Sequence, residues 1–133
     1  MTKYIYQKDG YKPNKGEIFV FGSNLAGVHG AGAAKEAVIS YGAVMGIGIG
    51  PKGQSYALPT KDKKIETLPL NVIAVYVEQF IRYATLHIQD EFYVSRLGCV
   101  LAGYQNSDIA PLFKGAPRNC SFCIDWAPFL EDE

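Results

Sequence analysis

Apolar residues along the chain fall in short runs separated by glycine-rich or polar stretches, and the spacing inside each run separates strands from helices. Ile18 to Phe21 is continuously apolar and of strand length, as expected of a central strand covered on both faces. Gly22-Ser23-Asn24 ends that strand, and Gly27 to Gly32 forms a loop. From about Ala31 the pattern turns helical: Ala34, Ala37, Val38 and Tyr41 share one face, while Lys35 and Glu36 lie away from it. Residues 42–54 show no periodicity and read as a flexible segment. Ser55 to Leu58 is a short strand closed by Pro59, and the Pro59-Thr60-Lys61-Asp62 corner leads into a polar loop. A long helix begins between Thr67 and Asn71, with Pro69 tolerated in its first turn. It buries Ile73, Tyr76, Val77, Phe80 and Ala84 and leaves Glu78, Gln79, Arg82 and Thr85 to water.

Phe92 to Leu97 is the next strand, followed at once by the loop Gly98–Tyr104. A third, shorter helix is expected from about Ser107 to Gly115, and Asn119 to Ile124 is the final strand. Residues 1–16, with Tyr4, Ile5, Tyr6 and Tyr11 before Pro13-Asn14-Lys15-Gly16, read as an edge strand and a turn peripheral to the rest. Strands that alternate with helices predict an α/β fold with a mixed, largely parallel sheet covered on both faces. In such sheets ligands bind outside the carboxyl ends of the strands. The loops at 22–32 and 98–104 both follow a strand at that end, so they are expected to face one another across a single cleft.

Composition adds limits. A chain of 133 residues suits one domain, 1–133, with a real hydrophobic core. Thirteen basic and thirteen acidic residues leave no formal net charge and no basic block, which argues against broad nucleic-acid or membrane-surface binding. The N-terminus has no apolar run of signal-peptide length, and nothing approaches a membrane span, so a cytoplasmic protein is expected. The odd number of cysteines (Cys99, Cys120 and Cys123) in apolar surroundings reads as reduced, buried thiols. Most of the fourteen glycines fall between Gly16 and Gly53, where backbone can approach a ligand closely.

The strand, the glycine-rich loop and the nearly bare first turn of the following helix together present backbone N–H groups and a positive dipole end, which suits a phosphate. The loop lacks the Gly-Lys-Ser/Thr of a Walker A motif and the G-x-G-x-x-G spacing of a dinucleotide fingerprint. A tight crossover that uses small residues only for packing has the same composition. Among side chains with chemistry, His29 could orient water or contact a phosphate, and Asp62 beside Lys61 could act as acid or base or be a solvated loop residue. His87, near a helix end, reads as structural. On a strand, Cys120 and Cys123 point to opposite faces, so they do not make a metal site, and no metal or cofactor is expected. Trp126 and Phe129 either stack on a base at the cleft edge or close the end of the core.

The run Asn24-Leu-Ala-Gly-Val-His-Gly-Ala-Gly-Ala-Ala-Lys-Glu-Ala37 resembles the macrodomain signature, an asparagine followed by a His-Gly-Gly-Gly-type loop that enters a helix. By that resemblance Gly22, Ser23, Asn24, His29, Gly30, Ala31 and Gly32 would form the first ligand loop. Asn24 would hydrogen-bond the distal ribose of ADP-ribose, and Gly30, Ala31 and Gly32 would line the diphosphate, with Ala31 where the family's middle glycine stands. Gly98, Cys99, Val100, Leu101, Ala102, Gly103 and Tyr104 are similar to the second phosphate loop, with Tyr104 packing on the ribose or a phosphate. An upstream aspartate often reads the adenine amine in macrodomains; Asp9 is the only acid before Glu17, and the sequence does not place it. Ser55 to Asp62 (S-Y-A-L-P-T-K-D) is similar to the T-K segment of the subgroup that removes ADP-ribose from DNA or carboxylates.

The resemblance covers most of residues 17–124 in order and implies a three-layer α/β/α macrodomain-like sandwich. It also implies a lysine nucleophile, matched by Lys61, acting through a Schiff base with an acid in the second loop. Ala102 stands where that acid would follow, and a lysine that attacks a sugar carbon needs a partner to manage protons. Lys61, Asp62 and His29 are therefore the candidate catalysts of a hydrolase that releases ADP-ribose from a macromolecule, or phosphate from ADP-ribose phosphate. The reading favoured by Ala102 is a module that binds ADP-ribose or a related NAD-derived nucleotide without turnover; the resemblance implies a phage setting, where capturing an NAD-derived signal would counter host defence. An α/β domain without a ligand is the third reading.

Overall fold

The computed structural model describes residues 2–10 and 12–131. It is an α/β protein built on a six-stranded sheet, with four α-helices among the described residues. In chain order the elements are β1 (Ile5–Gln7), β2 (Ile18–Asn24), α1 (Gly32–Ser40), β3 (Gly50–Lys52), β4 (Ser55–Lys61), α2 (Leu70–Leu86), β5 (Phe92–Val94), α3 (Asn106–Ile109), β6 (Cys120–Cys123) and α4 (Ala127–Leu130). The strand order is β1-β6-β5-β2-β4-β3. Every neighbouring pair is parallel except β3 with β4.

Alternation along the strands divides the interior in two. Val20, Tyr56, Leu58, Phe92, Val94, Cys120 and Phe122 join a large cluster with the α2 stripe of Ile73, Val77, Phe80 and Ala84, and with Ile109, Phe113 and Trp126. Phe19, Phe21, Ala57 and Tyr93 join a smaller cluster with Ala34 and Ala37 of α1. The helical faces expected for α1 and α2 are the inward ones, although Val38, Tyr41 and Tyr76 are only half-buried.

Several boundaries differ from expectation for local reasons. Strand β4 runs on through Pro59 to Lys61, because Gly50–Lys52 pairs only with Ser55–Ala57 and leaves the side of β4 at Pro59 open, where proline's missing N–H removes no ladder bond. The aperiodic 42–54 segment contains β3, an antiparallel edge that turns back through Gly53 and Gln54. Strand β5 stops at Val94: the Ser95 N–H and hydroxyl both donate to the Val20 carbonyl, at 3.0 and 2.8 Å. The third helix is a single turn, α3, tightening into a 3₁₀ turn at Ala110–Phe113 around Pro111. After β6 the tail folds back as a 3₁₀ turn, Ile124–Trp126, and α4. No helix among the described residues is long and apolar enough to cross a membrane.

Candidate functional site

A cleft of about 570 Å³ opens at the carboxyl ends of β2, β4 and β5 and continues over the faces of β5 and β6. Its size falls in the range of small-molecule sites, roughly 300–1,000 Å³. Both glycine-bearing loops contribute to it, as expected. Gly22, Ser23, Asn24, Gly30, Ala31 and Gly32 line it from one side, and Gly98, Val100, Leu101 and Ala102 from the other. The loops meet directly: a Cβ added to Gly32 would sit 3.0 Å from Leu101 Cδ1.

The first loop delivers backbone donors that have no partner among the described residues. Ala31 is the extended N-cap of α1 (φ −151°, ψ 160°), with no side-chain cap and no acidic residue in the first turn. The first hydrogen bond into the helix is Lys35 N–H to Ala31 C=O, which leaves the N–H groups of Gly32, Ala33 and Ala34 without intrahelical partners. Gly32 adopts a left-handed conformation (φ 58°), which glycine takes without strain. Asn24 braces this loop: its Nδ2 donates to the Val28 carbonyl at 2.7 Å and its Oδ1 accepts the Val28 N–H at 3.0 Å. One amide hydrogen and one lone pair remain for a ligand.

His29 is turned away from the cleft. It is buried, its Nε2 lies 2.9 Å from the Ile47 carbonyl, and its ring packs edge-on against Phe21. Its buried Nδ1 has no partner among the described residues. The histidine therefore anchors the 42–49 segment to the loop, and the catalytic or phosphate-contacting role does not fit its position.

The second loop is split. Gly98 (φ 79°) packs so closely on Ile109 that an added Cβ would lie 2.9 Å from Cδ1. Cys99, Gly103 and Tyr104 do not line the cleft. Tyr104 donates its hydroxyl to the Leu68 carbonyl at 2.7 Å and packs on the core, and burial pushes the Cys99 thiol up to about 11. Tyr104 is thus a fastener of the loop, and the ribose-packing role expected of it is not open to it. Trp126 lies wholly inside the core with its indole N–H on Asn106 Oδ1 at 3.0 Å, so it closes the core's end and does not stack on a base at the cleft edge. Phe129 also packs on that cluster, away from the cleft.

Lys61 lines the cleft, half-buried, beside Thr60, and has no ion-pair partner among the described residues. Asp62 does not line it. Its Oδ1 accepts the N–H groups of Lys64 and Glu66 at 2.8 and 3.0 Å, so the carboxylate holds a turn, and neither an acid–base role nor simple solvation describes it.

The N-terminal segment is part of the wall. Gln7, Lys8, Asp9, Gly10, Lys12 and Pro13 line the cleft over β5 and β6, where Phe19, Tyr93 and Cys123 form the floor. Arg96 joins this segment to the start of α3: its Nε donates to Asp9 Oδ2 at 3.2 Å and its Nη1 to Asn106 Oδ1 at 3.2 Å. Lys12 pairs with Glu36 of α1 at 3.0 Å. Arg96 and Lys8 escaped sequence reading, because isolated charges carry no spacing signal; Asp9 stands out in the sequence as the one acid before Glu17 but is not placed by it, and the structure sets it in the cleft wall.

Cys120 faces the large core and Cys123 the cleft, as three-residue spacing on a strand requires. Asp9, Cys123 and Asp125 bring ligand atoms within 4.8 Å of one another, but Asp9 is committed to Arg96, and burial raises the Cys123 thiol above its ordinary range. The fold and this geometry are the guide to function, since no protein-family model, curated protein or solved structure matches the chain.

Proposed function

We propose that the chain is a macrodomain-like three-layer α/β/α sandwich that binds ADP-ribose or a related NAD-derived nucleotide in this cleft. The observation that carries the reading is the uncapped start of α1, with the Gly32–Ala34 N–H groups opposite Val100–Ala102 in one cleft. A diphosphate suits that end, since oriented amides and a helix dipole stabilise an anion without a side-chain clamp. The distal ribose would lie toward Asn24 and Lys61. Adenine would lie over Tyr93 and Phe19, its exocyclic amine facing the Asp9 carboxylate. A cytoplasmic setting accords with a nucleotide ligand and free thiols.

Retention of the ligand is favoured over turnover by the carboxylates. Asp9 is paired with Arg96, Glu36 with Lys12, and Asp62 holds a turn, so none is placed as a proton-handling partner for Lys61. The hydrolase reading keeps one observation, a cleft lysine with no ion-pair partner among the described residues. Calorimetric titration with ADP-ribose, AMP and NAD, beside turnover assays on ADP-ribosylated protein and DNA, tests both. One-to-one binding of ADP-ribose, with equally negligible turnover by wild type and Lys61→Ala, is expected. Absence of binding refutes the reading; turnover that Lys61→Ala abolishes restores the enzyme.

A further inference from the structure

Ile65 is the sole non-glycine residue among those described with a positive φ, at 64°. A residue branched at Cβ is among the least tolerant of that conformation. The turn around it is tightly determined. Asp62 Oδ1 accepts the N–H groups of Lys64 and Glu66, the Ile65 N–H donates to the Asp62 carbonyl at 3.1 Å, and the Asp62 N–H donates to the Glu66 carbonyl at 2.8 Å. Lys61 and Thr67 close it as an isolated antiparallel bridge. Glycine or asparagine at 65 would give the same turn at lower cost, so folding alone does not explain an isoleucine there.

Its side chain explains it. Ile65 is 43% exposed and lines the cleft at the end that holds Lys61. The same end receives Val28 and Leu101 from the two glycine-bearing loops, and Thr67 Oγ1 ties the turn to the second loop through the Ala102 carbonyl at 2.9 Å. Strain retained at a binding cleft, with an apolar group as its product, marks a functional placement.

We propose that Ile65 closes the Lys61 end of the cleft over the apolar C–H face of the ligand's distal ribose, and that Asp62 is the positioning residue that holds it there. The proposal rests on the ADP-ribose reading above. It assigns Asp62 an acceptor's role, which an asparagine carbonyl fulfils equally, and no part in proton transfer.

The test compares ADP-ribose with AMP, which lacks the distal ribose, by calorimetry, and records thermal melting in parallel. Ile65→Asn and Ile65→Gly are expected to melt at or above the wild-type temperature. They should bind ADP-ribose roughly tenfold more weakly, the loss of about half an aliphatic side chain's burial, with AMP affinity unchanged. Asp62→Ala should show the same selective loss, and Asp62→Asn should restore wild-type affinity. Unchanged ADP-ribose affinity in Ile65→Asn, or an Asp62→Asn variant as weak as Asp62→Ala, overturns this proposal alone. A wild type that binds neither ligand overturns the nucleotide reading and this proposal with it.

Discussion

The two glycine-bearing loops look alike in sequence and behave differently in the fold. The first presents Gly30, Ala31 and Gly32 to the cleft and ends in an uncapped helix start, and its one imidazole is folded away onto the Ile47 carbonyl. The second gives the cleft only Gly98 and Val100–Ala102; it is fastened from behind by Tyr104 on Leu68, by Thr67 on Ala102 and by Gly98 against Ile109. Glycine marks both as places where backbone comes close to something. In the first loop Gly30 and Gly32 face the cleft while Gly27 packs on the Gly46 backbone, and in the second Gly98 packs on Ile109 of the protein's own core.

That contrast can be broken from either side. In the second loop the effect is expected on stability. Gly98→Ala puts a side chain on a residue at φ 79° and drives its Cβ onto Ile109. Left-handed strain and overpacking together should lower unfolding free energy by about 2–4 kcal/mol, measurable by urea denaturation. In the first loop the effect should fall on binding instead. Gly32→Ala costs about 1–2 kcal/mol of stability for its φ of 58°, but the new methyl meets Leu101 across the cleft, and ADP-ribose affinity should fall at least about tenfold. If Gly98→Ala proves mild, or Gly32→Ala binds normally, the division of labour between the loops is wrong.

The smallest effect is a pH dependence. Burial of Cys99 pushes its thiol from 9.0 up to about 11, so the neutral form is favoured on folding. Its contribution to stability is complete below the unfolded value and is lost as pH rises from about 9 toward 11. Alkylation of the native protein at pH 8 should accordingly be slow at Cys99 relative to the unfolded chain. Rapid labelling would mean that the second loop is not fastened.

Much of this was legible in the residues. The β2–loop–α1 unit announces itself through a four-residue apolar run, glycines and a helical face of alanines, each a local signal. The α2 stripe is equally local. What escaped depends on contacts distant in sequence. Pro59 reads as a strand end, yet it continues β4 because the neighbour on that side is absent. Tyr104 reads as a ligand-facing aromatic until the Leu68 carbonyl is found within reach. Asp9 and Arg96 lie 87 residues apart and meet only because β1 docks on β6 beside β5. Asp62 is the local exception: it looks like a catalyst beside a lysine, but its Oδ1 accepts the amides of Lys64 and Glu66, two and four residues on.

The central claim is that backbone donors at the start of α1 hold a diphosphate. Amide chemical shifts in an ¹H–¹⁵N NMR titration with ADP-ribose test it most directly. The account predicts the largest downfield shifts at Gly32, Ala33 and Ala34, smaller ones at Val100–Ala102, and none at Tyr104. Saturable binding that leaves the Gly32–Ala34 amides unmoved, or shifts centred on Tyr104 and Phe129, would contradict it.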